Sequence, residues 1–367
     1  MKTATVTFHA AHNYGSVLQA HALQQVIMSL GHSNVIIDFR TERQKDLYTV
    51  YTRRKGLKYI FKNLSHWLYS NSLQRRFDKF EDFIHKYLIL TDKEYGVLEE
   101  LQSETFNYDC FIAGSDQIWN PIPADFDFAY YLPFVKNGKR ISYATSFGQL
   151  ASKGDKQTIN RIKTCLRKFD CISVREQGAF DNVKNLAGTE PKIVLDPTLL
   201  LPASYWNTLI DDFPIVKGDY IFFYTLFADK ERLNLVKSIS KRLKLPIVTS
   251  NFSNQYDVIN PFIKRYDAGP LDFLNLIKHA KLVVTSSFHG SVFSVILNKP
   301  FYSIDGLADA RISSLLNNTG LQDRSISIDE LSKVDKSSLI LDFSKANERI
   351  LNLREQSIDF IRNSITA

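Results

Sequence analysis

The chain has 367 residues, of which 44% are hydrophobic and 23% are charged, and its formal net charge is +7. This composition is typical of a folded globular protein, and the length predicts two domains of about 150–200 residues each. A membrane span is excluded because no stretch approaches ~20 apolar residues, and three scattered cysteines (Cys110, Cys165 and Cys171) indicate neither a disulfide framework nor a metal site.

The first 200 residues predict one α/β domain. The first predicted strand is at 4–8, and the residues before and within it lack the apolar core of a secretory signal. Together with the small number of cysteines, this predicts a cytoplasmic location. An amphipathic helix at 16–30 follows, with Ser16 as its capping residue and Gly31 closing it, and then a strand at 34–39. Further strands are predicted at 109–113, 140–146, 170–174 and 192–195. Because these strands are apolar on both faces, they predict a parallel, doubly wound sheet.

Residues 42–105 predict a long helical insertion in this domain, and its basic part supplies the charge of the chain. Within residues 51–80 there are eight Lys or Arg residues and a single acid, Asp78, so the rest of the chain is neutral. This segment is either a solvated helical insertion or a surface that docks on the anionic inner leaflet of the membrane. Nucleic-acid binding is not predicted, because the rest of the chain is neutral and no nucleic-acid module is recognisable.

Residues 201–343 predict a second domain of the same type. Strands at 219–226, 246–250, 281–286 and 300–304 alternate with helices near 229–243, 270–279, 289–298 and 308–317. A last helix, within residues 344–367, is predicted to pack back on the first domain. The predicted fold is therefore α/β, with two Rossmann-like domains whose parallel sheets face each other across a cleft. Ligands bind outside the carboxyl ends of such strands, so motifs there supply the candidate site residues.

Two turns of the first domain carry candidate ligand-binding residues. Asn13, Tyr14 and Gly15 follow the first strand, where a glycine lets backbone approach a ligand and a helix N-terminus offers N–H groups to an anion. Ser115 and Asp116 follow the third strand, where a carboxylate can orient sugar hydroxyls. The alternatives are an ordinary turn between strand and helix, and an Asp116 that only caps a turn.

Two further strand ends carry candidate catalytic and anion-binding residues. Arg175 offers a planar fork of donors that suits phosphate or carboxylate, although most arginines are solvated surface groups. His289 lies between Phe288 and Gly290 at the junction of a strand and a helix, where it can exchange a proton near neutral pH. Gly290 leaves room for a ligand, and Arg311 begins the helix after the next strand. The alternative is a structural histidine, which is the commoner role of a single one.

Seven segments form an ordered set that extends from the first strand to about residue 321. They are, in order, NYGSVLQAHALQ, FIAGSDQIWNP, ISYATSFG, SVREQGAF, IVLDPTLLL, FLNLIKHAKLVVTSSFHGSVFSVILNKPF and RISSLLNNTGL. Together these segments resemble the polysaccharide pyruvyl transferase family. Any one of them is a weak signal, but the ordered set is specific for the family, although not for the sugar that it modifies.

The resemblance implies a GT-B-like fold and transfer of pyruvate from phosphoenolpyruvate to a sugar, typically as a cyclic ketal in a capsule, exopolysaccharide or cell-wall glycan. Carried over by motif, His289 is the general acid or base and Arg175 holds the donor. The rest of the implied donor site is Ser287, Phe288, Gly290 and Arg311. The implied acceptor-binding residues are those of the two turns in the first domain, Asn13, Tyr14, Gly15, Ser115 and Asp116. Many relatives have an arginine where this chain has Ser287. No cofactor and no metal are expected. The expected partners are phosphoenolpyruvate and a glycan acceptor, which a lipid carrier can hold.

Two other functions remain open at this point. A nucleotide-sugar glycosyltransferase of the same architecture would need a carboxylate for the ribose at a strand end of the second domain, where the sequence offers serine and histidine. A non-catalytic glycan-binding relative would have a broken donor site. Ser287 favours that alternative, whereas His289 and Arg175 argue against it.

Overall fold

The computed structural model describes residues 1–51, 56, 63, 66–123, 125–148, 155–226, 229–251, 260–327, 330 and 334–366. Twelve of the thirty residues of the predicted basic segment, namely 52–55, 57–62 and 64–65, lie outside the described residues. The chain divides into two units. The first comprises Met1–Tyr48, Glu81–Leu201 and Leu351–Ala367, and the second comprises Thr49–Phe80 and Pro202–Ile350. Residues 49–80, predicted as part of the first domain, thus group with the second unit.

The first unit is built on a parallel sheet of seven strands in the order β3-β2-β1-β4-β5-β6-β7. The strands are β1 Lys2–Val6, β2 Ser33–Phe39, β3 Leu90–Tyr95, β4 Cys110–Ala113, β5 Lys139–Thr145, β6 Cys171–Val174 and β7 Lys192–Ile193. All four residues of β4 are buried, as expected for a strand covered by helices on both faces. The predicted parallel, doubly wound sheet is confirmed.

The second unit has its own parallel sheet, with six strands in the order β10-β9-β8-β11-β12-β13. The strands are β8 Ile221–Tyr224, β9 Ile247–Thr249, β10 Ile263–Lys264, β11 Leu282–Thr285, β12 Phe301–Ile304 and β13 Ser325–Ile326. The four strands predicted for this domain correspond to β8, β9, β11 and β12. A second sheet with this order confirms the prediction of two α/β domains.

Thirteen α-helices lie in the described residues. They are α1 Tyr14–Ser29, α2 Glu42–Tyr48, α3 Ser70–Tyr87, α4 Leu98–Ser103, α5 Lys156–Leu166, α6 Gln177–Ala187, α7 Pro197–Leu200, α8 Ala203–Leu209, α9 Lys230–Leu243, α10 Pro270–His279, α11 Phe288–Ile296, α12 Ala310–Thr319 and α13 Ser344–Thr366. None of the described helices combines the length and the apolar character needed to cross a membrane.

The start of α1 corrects one detail of the sequence analysis. Asn13, and not Ser16, is the capping residue, since its side chain accepts a hydrogen bond from the backbone N–H of Gly15 at 3.0 Å. Gly31 closes the helix with φ of +84°, a left-handed conformation that glycine adopts without strain, as predicted. The helix is buried on most of its faces rather than amphipathic. Its buried Gln24 donates a hydrogen bond to the backbone oxygen of Ile89 at 3.0 Å.

The segment 42–105 was predicted to be a helical insertion, but it is not entirely helical. It contains α2, α3 and α4, but β3 adds an edge strand to the first sheet beside β2. The three central residues of β3 are exposed, so the strand lacks the apolar pattern that identified its neighbours. Its sequence, LTDKEY, is mostly polar and only Tyr95 is buried, which is why this strand was not predicted.

Each unit has its own hydrophobic core between sheet and helices. In the first unit Trp119 is fully buried and stacks on Tyr131 with ring centroids 5.2 Å apart. Its indole N–H donates to the backbone oxygen of Tyr130 at 3.1 Å. The tryptophan of the FIAGSDQIWNP segment is therefore a core residue with its polar atom satisfied.

The C-terminal part of α13 belongs to the first unit and packs against it. The Ser357 hydroxyl accepts a hydrogen bond from the backbone N–H of Leu195 at 3.0 Å, and Arg354 Nε donates to the backbone oxygen of Leu199 at 2.8 Å. These contacts hold the chain that follows β7, which includes Asp196.

Candidate active site

His289 lies at the carboxyl end of β11, in the first turn of α11, as predicted. Its side chain is buried, with 7% of the residue surface exposed, and its ring lies 5.0 Å from that of Phe288. Ser287 is the capping residue of the helix, because its hydroxyl accepts a hydrogen bond from the backbone N–H of Gly290 at 3.4 Å. The residue that stands where many relatives have arginine therefore has a local structural role.

Gly290 has a packing role in addition to the predicted one. A Cβ atom at this position would overlap the hydroxyl of Thr285 and lie 3.0 Å from its Cβ. The glycine is thus needed for α11 to approach β11 closely, and its place in the donor site stays a prediction. The Thr285 hydroxyl donates to the backbone oxygen of Tyr224 at 2.6 Å, which fixes it in this position.

Arg311 begins α12 and lies close to the histidine motif. Its guanidinium carbon is 6.0 Å from the centroid of the Phe288 ring. Asp309, the capping residue of α12, accepts hydrogen bonds from Arg311 Nε at 3.1 Å and from Nη2 at 2.6 Å. Burial alone would raise the pKa of the Asp309 carboxyl, but the hydrogen bonds and charge of Arg311 lower it. The second unit thus brings Ser287, Phe288, His289, Gly290 and Arg311 into one neighbourhood.

Arg175 follows β6 in the first unit and is surrounded by carboxylates. Its side chain is 3% exposed, and Nη1 donates to Asp196 Oδ2 at 2.8 Å. Nη2 lies 3.7 Å from Asp116 Oδ1, and Nε lies 3.7 Å from Glu176 Oε2. Burial would lower the pKa of Arg175, but these carboxylates together raise it. We call Arg175, Asp116, Glu176 and Asp196 the arginine cluster.

The charge of the arginine cluster does not favour an anion. Three carboxylates face one guanidinium, so the positive charge of Arg175 is already matched by groups of the protein. Asp196 also accepts hydrogen bonds from the backbone N–H and the hydroxyl of Thr198. The cluster fixes the loops after three strands of the first sheet, β4, β6 and β7, relative to one another.

The predicted acceptor-binding residues join this cluster through Ser16. Its hydroxyl, inside the first turn of α1, donates to Asp116 Oδ2 at 2.7 Å. Asp116 has φ of +82°, a left-handed conformation that is uncommon for a residue with a side chain and that concentrates at functional sites. Ser115 donates to the backbone oxygen of Ala144 at 3.1 Å. Tyr14 is fully buried and Gly15 is buried as well, so of these three turn residues only Asn13 keeps part of its surface exposed.

The predicted residues therefore form two sets, each within its own unit. Asn13, Ser115, Asp116 and Arg175 lie at the carboxyl edge of the first sheet, and His289 with Arg311 lies at that of the second. The sequence analysis missed Asp196 and Asp309, although both follow strands and the strand-end rule would have found them. Within the described ranges, no three His, Cys, Asp or Glu side chains cluster as metal ligands would.

The comparison with known families agrees with the motifs. The family model described as polysaccharide pyruvyl transferase matches residues 13–306, which is most of the chain and includes parts of both units. No curated protein matches the chain. The match begins at Asn13 and includes both Arg175 and His289.

Solved structures similar to this chain include UDP-N-acetylglucosamine 2-epimerases. The one from Neisseria meningitidis, bound to UDP-GlcNAc, is 11% identical, with a TM-score of 0.54 over 98% of this chain and 99% of that one. A putative one from Listeria monocytogenes is 10% identical, with a TM-score of 0.54 over 95% of this chain and 90% of that one. The one from Methanocaldococcus jannaschii is 13% identical, with a TM-score of 0.52 over 97% and 100%. Structural similarity at such low sequence identity shows the fold alone, and this fold confirms the predicted GT-B-like class.

Proposed function

This chain belongs to the polysaccharide pyruvyl transferase family, and we propose that it transfers pyruvate from phosphoenolpyruvate to a sugar residue as a cyclic ketal, with release of phosphate. The proposed acceptor is a glycan precursor of a capsule, exopolysaccharide or cell wall. The observation that carries the proposal is the family match over residues 13–306, with His289 at the start of α11 and Arg311 beside its motif.

The residues of the second unit suit the chemistry of this donor. Protonation of the methylene carbon of phosphoenolpyruvate makes C2 electrophilic, and His289 is the side chain that we assign as the proton donor. Phosphoenolpyruvate also carries a carboxylate and a phosphate, which a guanidinium fork binds well. We assign that contact to Arg311, whose side chain is 21% exposed. Ser287, Phe288 and Gly290 shape the turn that presents the histidine.

We assign Arg175 a different role from the one predicted by resemblance. The resemblance makes it a donor-binding residue, but its guanidinium is matched by three carboxylates in the arginine cluster. We propose that it holds Asp116 and its neighbours in place on the acceptor side, where Asn13 and Ser115 also lie. A carboxylate fixed in this way can accept hydrogen bonds from sugar hydroxyls.

The direct test is to incubate the protein with phosphoenolpyruvate and a panel of galactosides, mannosides and N-acetylmannosamine glycosides. We expect phosphate release together with a product that has gained the mass of a pyruvyl ketal. Because no cofactor or metal is proposed, EDTA should leave the rate unchanged. Phosphoenolpyruvate, but not UDP or GDP, should raise the melting temperature. Stabilisation by a nucleotide alone, without phosphate release, would instead support a glycosyltransferase.

We also propose that the basic segment, residues 51–80, brings the protein to the inner face of the cytoplasmic membrane. Its described part exposes Trp67 (65%) and Leu68 (61%), the kind of side chains that insert at an interface. Each basic residue near an anionic surface adds about 1 kcal/mol of attraction. A surface of this kind would suit an acceptor carried on a lipid.

Binding to phosphatidylglycerol-containing vesicles tests the membrane proposal. We expect the wild type to bind at low salt and to be released at high salt. A variant in which Arg53, Arg54 and Lys55 become Gln should bind several-fold more weakly. The matched control replaces three exposed lysines of α9 by Gln, namely Lys230, Lys237 and Lys241. If vesicle binding changes neither with salt concentration nor with the Arg53, Arg54 and Lys55 substitutions, a membrane role for the segment is refuted.

A further inference from the structure

Five ionisable side chains form a continuous chain at the carboxyl ends of β1 and β2, apart from the arginine cluster. They are His9, His12, Asp38, Arg40 and Glu81. Asp38 Oδ1 lies 2.8 Å from His9 Nε2 and accepts from Arg40 Nε at 2.7 Å. Glu81 accepts from Arg40 Nη1 through Oε2 at 2.9 Å, and its Oε1 lies 2.7 Å from His12 Nε2.

The two histidines of this chain differ in their surroundings. His9 is fully buried, and acceptor oxygens face both of its ring nitrogens, Thr7 O at 3.2 Å from Nδ1 and Asp38 from Nε2. This arrangement fixes the ring and gives it a structural role. His12 keeps 7% of its side-chain surface exposed, and it immediately precedes Asn13, the first of the predicted acceptor-binding residues.

Glu81 sets the tautomer of a neutral His12 ring. Burial alone would raise the pKa of Glu81, but the hydrogen bond with His12 and the charge of Arg40 lower it to about 2. The carboxylate is therefore ionised at neutral pH and accepts the hydrogen bond. A neutral His12 must then carry its proton on Nε2, so its basic lone pair is on Nδ1. A carboxylate that orients an imidazole in this way also makes it a stronger base.

An aromatic ring lies next to this pair. Tyr48 stacks on His12 with ring centroids 5.6 Å apart and planes inclined by 29°. Tyr48 is also close enough to Asp125 to lower the pKa of that carboxyl, although burial raises it overall. A ring face together with a few oriented polar groups is the usual lining of a small-molecule site. The charged or titratable groups around His12 are thus Glu81, Arg40 beyond it, Tyr48 and Asp125.

We propose that His12 is the general base that removes the proton from the attacking hydroxyl of the acceptor sugar, and that Glu81 is its positioning residue. This inference rests on the proposed function. In the first step the hydroxyl oxygen forms a bond to C2 of phosphoenolpyruvate, its proton passes to His12 Nδ1, and a separate acid protonates the methylene carbon. In the second step another hydroxyl of the same sugar displaces phosphate from C2. Of the two hydroxyl protons, one ends on the methyl group and the other on hydrogenphosphate.

Three single variants of the full chain test this assignment: His12→Gln, Glu81→Gln and the control His85→Gln. His85 approaches the same carboxylate, at 3.8 Å from Glu81 Oε2, but its side chain is 69% exposed. We expect His12→Gln to lower kcat by ~10²-fold or more with phosphoenolpyruvate binding unchanged. Its pH–rate profile should lose the limb that rises with pH as the base is deprotonated. His85→Gln should match the wild type in kcat and in pH profile.

Glu81→Gln keeps the test decisive if His12→Gln folds poorly. Without the carboxylate an imidazolium is less stable, so the rising limb of the profile should move to lower pH while kcat falls by a smaller factor. A merely structural Glu81 would lower the melting temperature without moving that limb. If the wild type transfers the pyruvyl group but the His12→Gln variant keeps both its kcat and the rising limb of its pH–rate profile, this inference alone is overturned. A wild type that transfers no pyruvyl group to any acceptor would overturn the proposed function together with it.

Discussion

Replacing His289 by alanine is expected to lower turnover by ~10²–10⁴-fold, the range that general acid catalysis contributes, while phosphoenolpyruvate still binds. The reason is positional. His289 lies in the first turn of α11, directly after a fully buried strand, and Ser287 fixes that turn by capping the helix. Loss of the imidazole removes the proton donor without removing Arg311, which we assign to the donor anion.

The measurement is steady-state phosphate release, combined with the dissociation constant of phosphoenolpyruvate from calorimetry. His279→Ala is a suitable control, since it removes a histidine at the end of α10, in the same unit. It should keep wild-type turnover. His289→Ala turnover within a few-fold of wild type would show that another group supplies the proton. A variant that loses phosphoenolpyruvate binding along with turnover would instead make His289 a donor-binding residue.

The central strands of both sheets were predictable from the sequence, whereas three of the four edge strands were not. A central parallel strand such as β4 or β11 is buried on both faces, so its sequence is a short apolar run. The missed strands β3, β10 and β13 all lie at sheet edges. Two of them have only two residues each, and β3 exposes three of its six. Their pairing depends on the neighbouring strand more than on their own sequence.

The position of the site residues was also predictable, but their interactions were not. A residue that follows a parallel strand lies at the carboxyl edge of the sheet, which located Asp116, Arg175 and His289. Sequence spacing does not show that Arg175 meets Asp196 or that His12 meets Glu81, 69 residues away. Those contacts depend on the order of strands in the sheet and on the path of α3. They change the interpretation of Arg175 from a cation available to a ligand to one already matched by carboxylates.

Replacing Arg175 by methionine is expected to destabilise the first unit by about 3–5 kcal/mol at neutral pH. Methionine fills similar space, so the main loss is the charge that faces Asp116, Glu176 and Asp196 in a buried site. Lowering the pH should restore part of the stability, because protonation removes the charge of buried carboxylates that have lost their partner. The measurement is urea unfolding of wild type and variant at pH 5 and pH 8.

The matched control is Arg167→Met, because Arg167 is exposed at the end of α5 and its loss should change stability by less than about 0.5 kcal/mol. Adding Asp196→Asn to Arg175→Met should recover stability, because it removes one of the unmatched carboxylates, and this non-additivity is the signature of the cluster. A variant as stable as wild type at pH 8, but with weakened phosphoenolpyruvate binding, would reverse our assignment. It would mean that the carboxylates do not need the arginine, and that Arg175 holds the donor as the family resemblance implies.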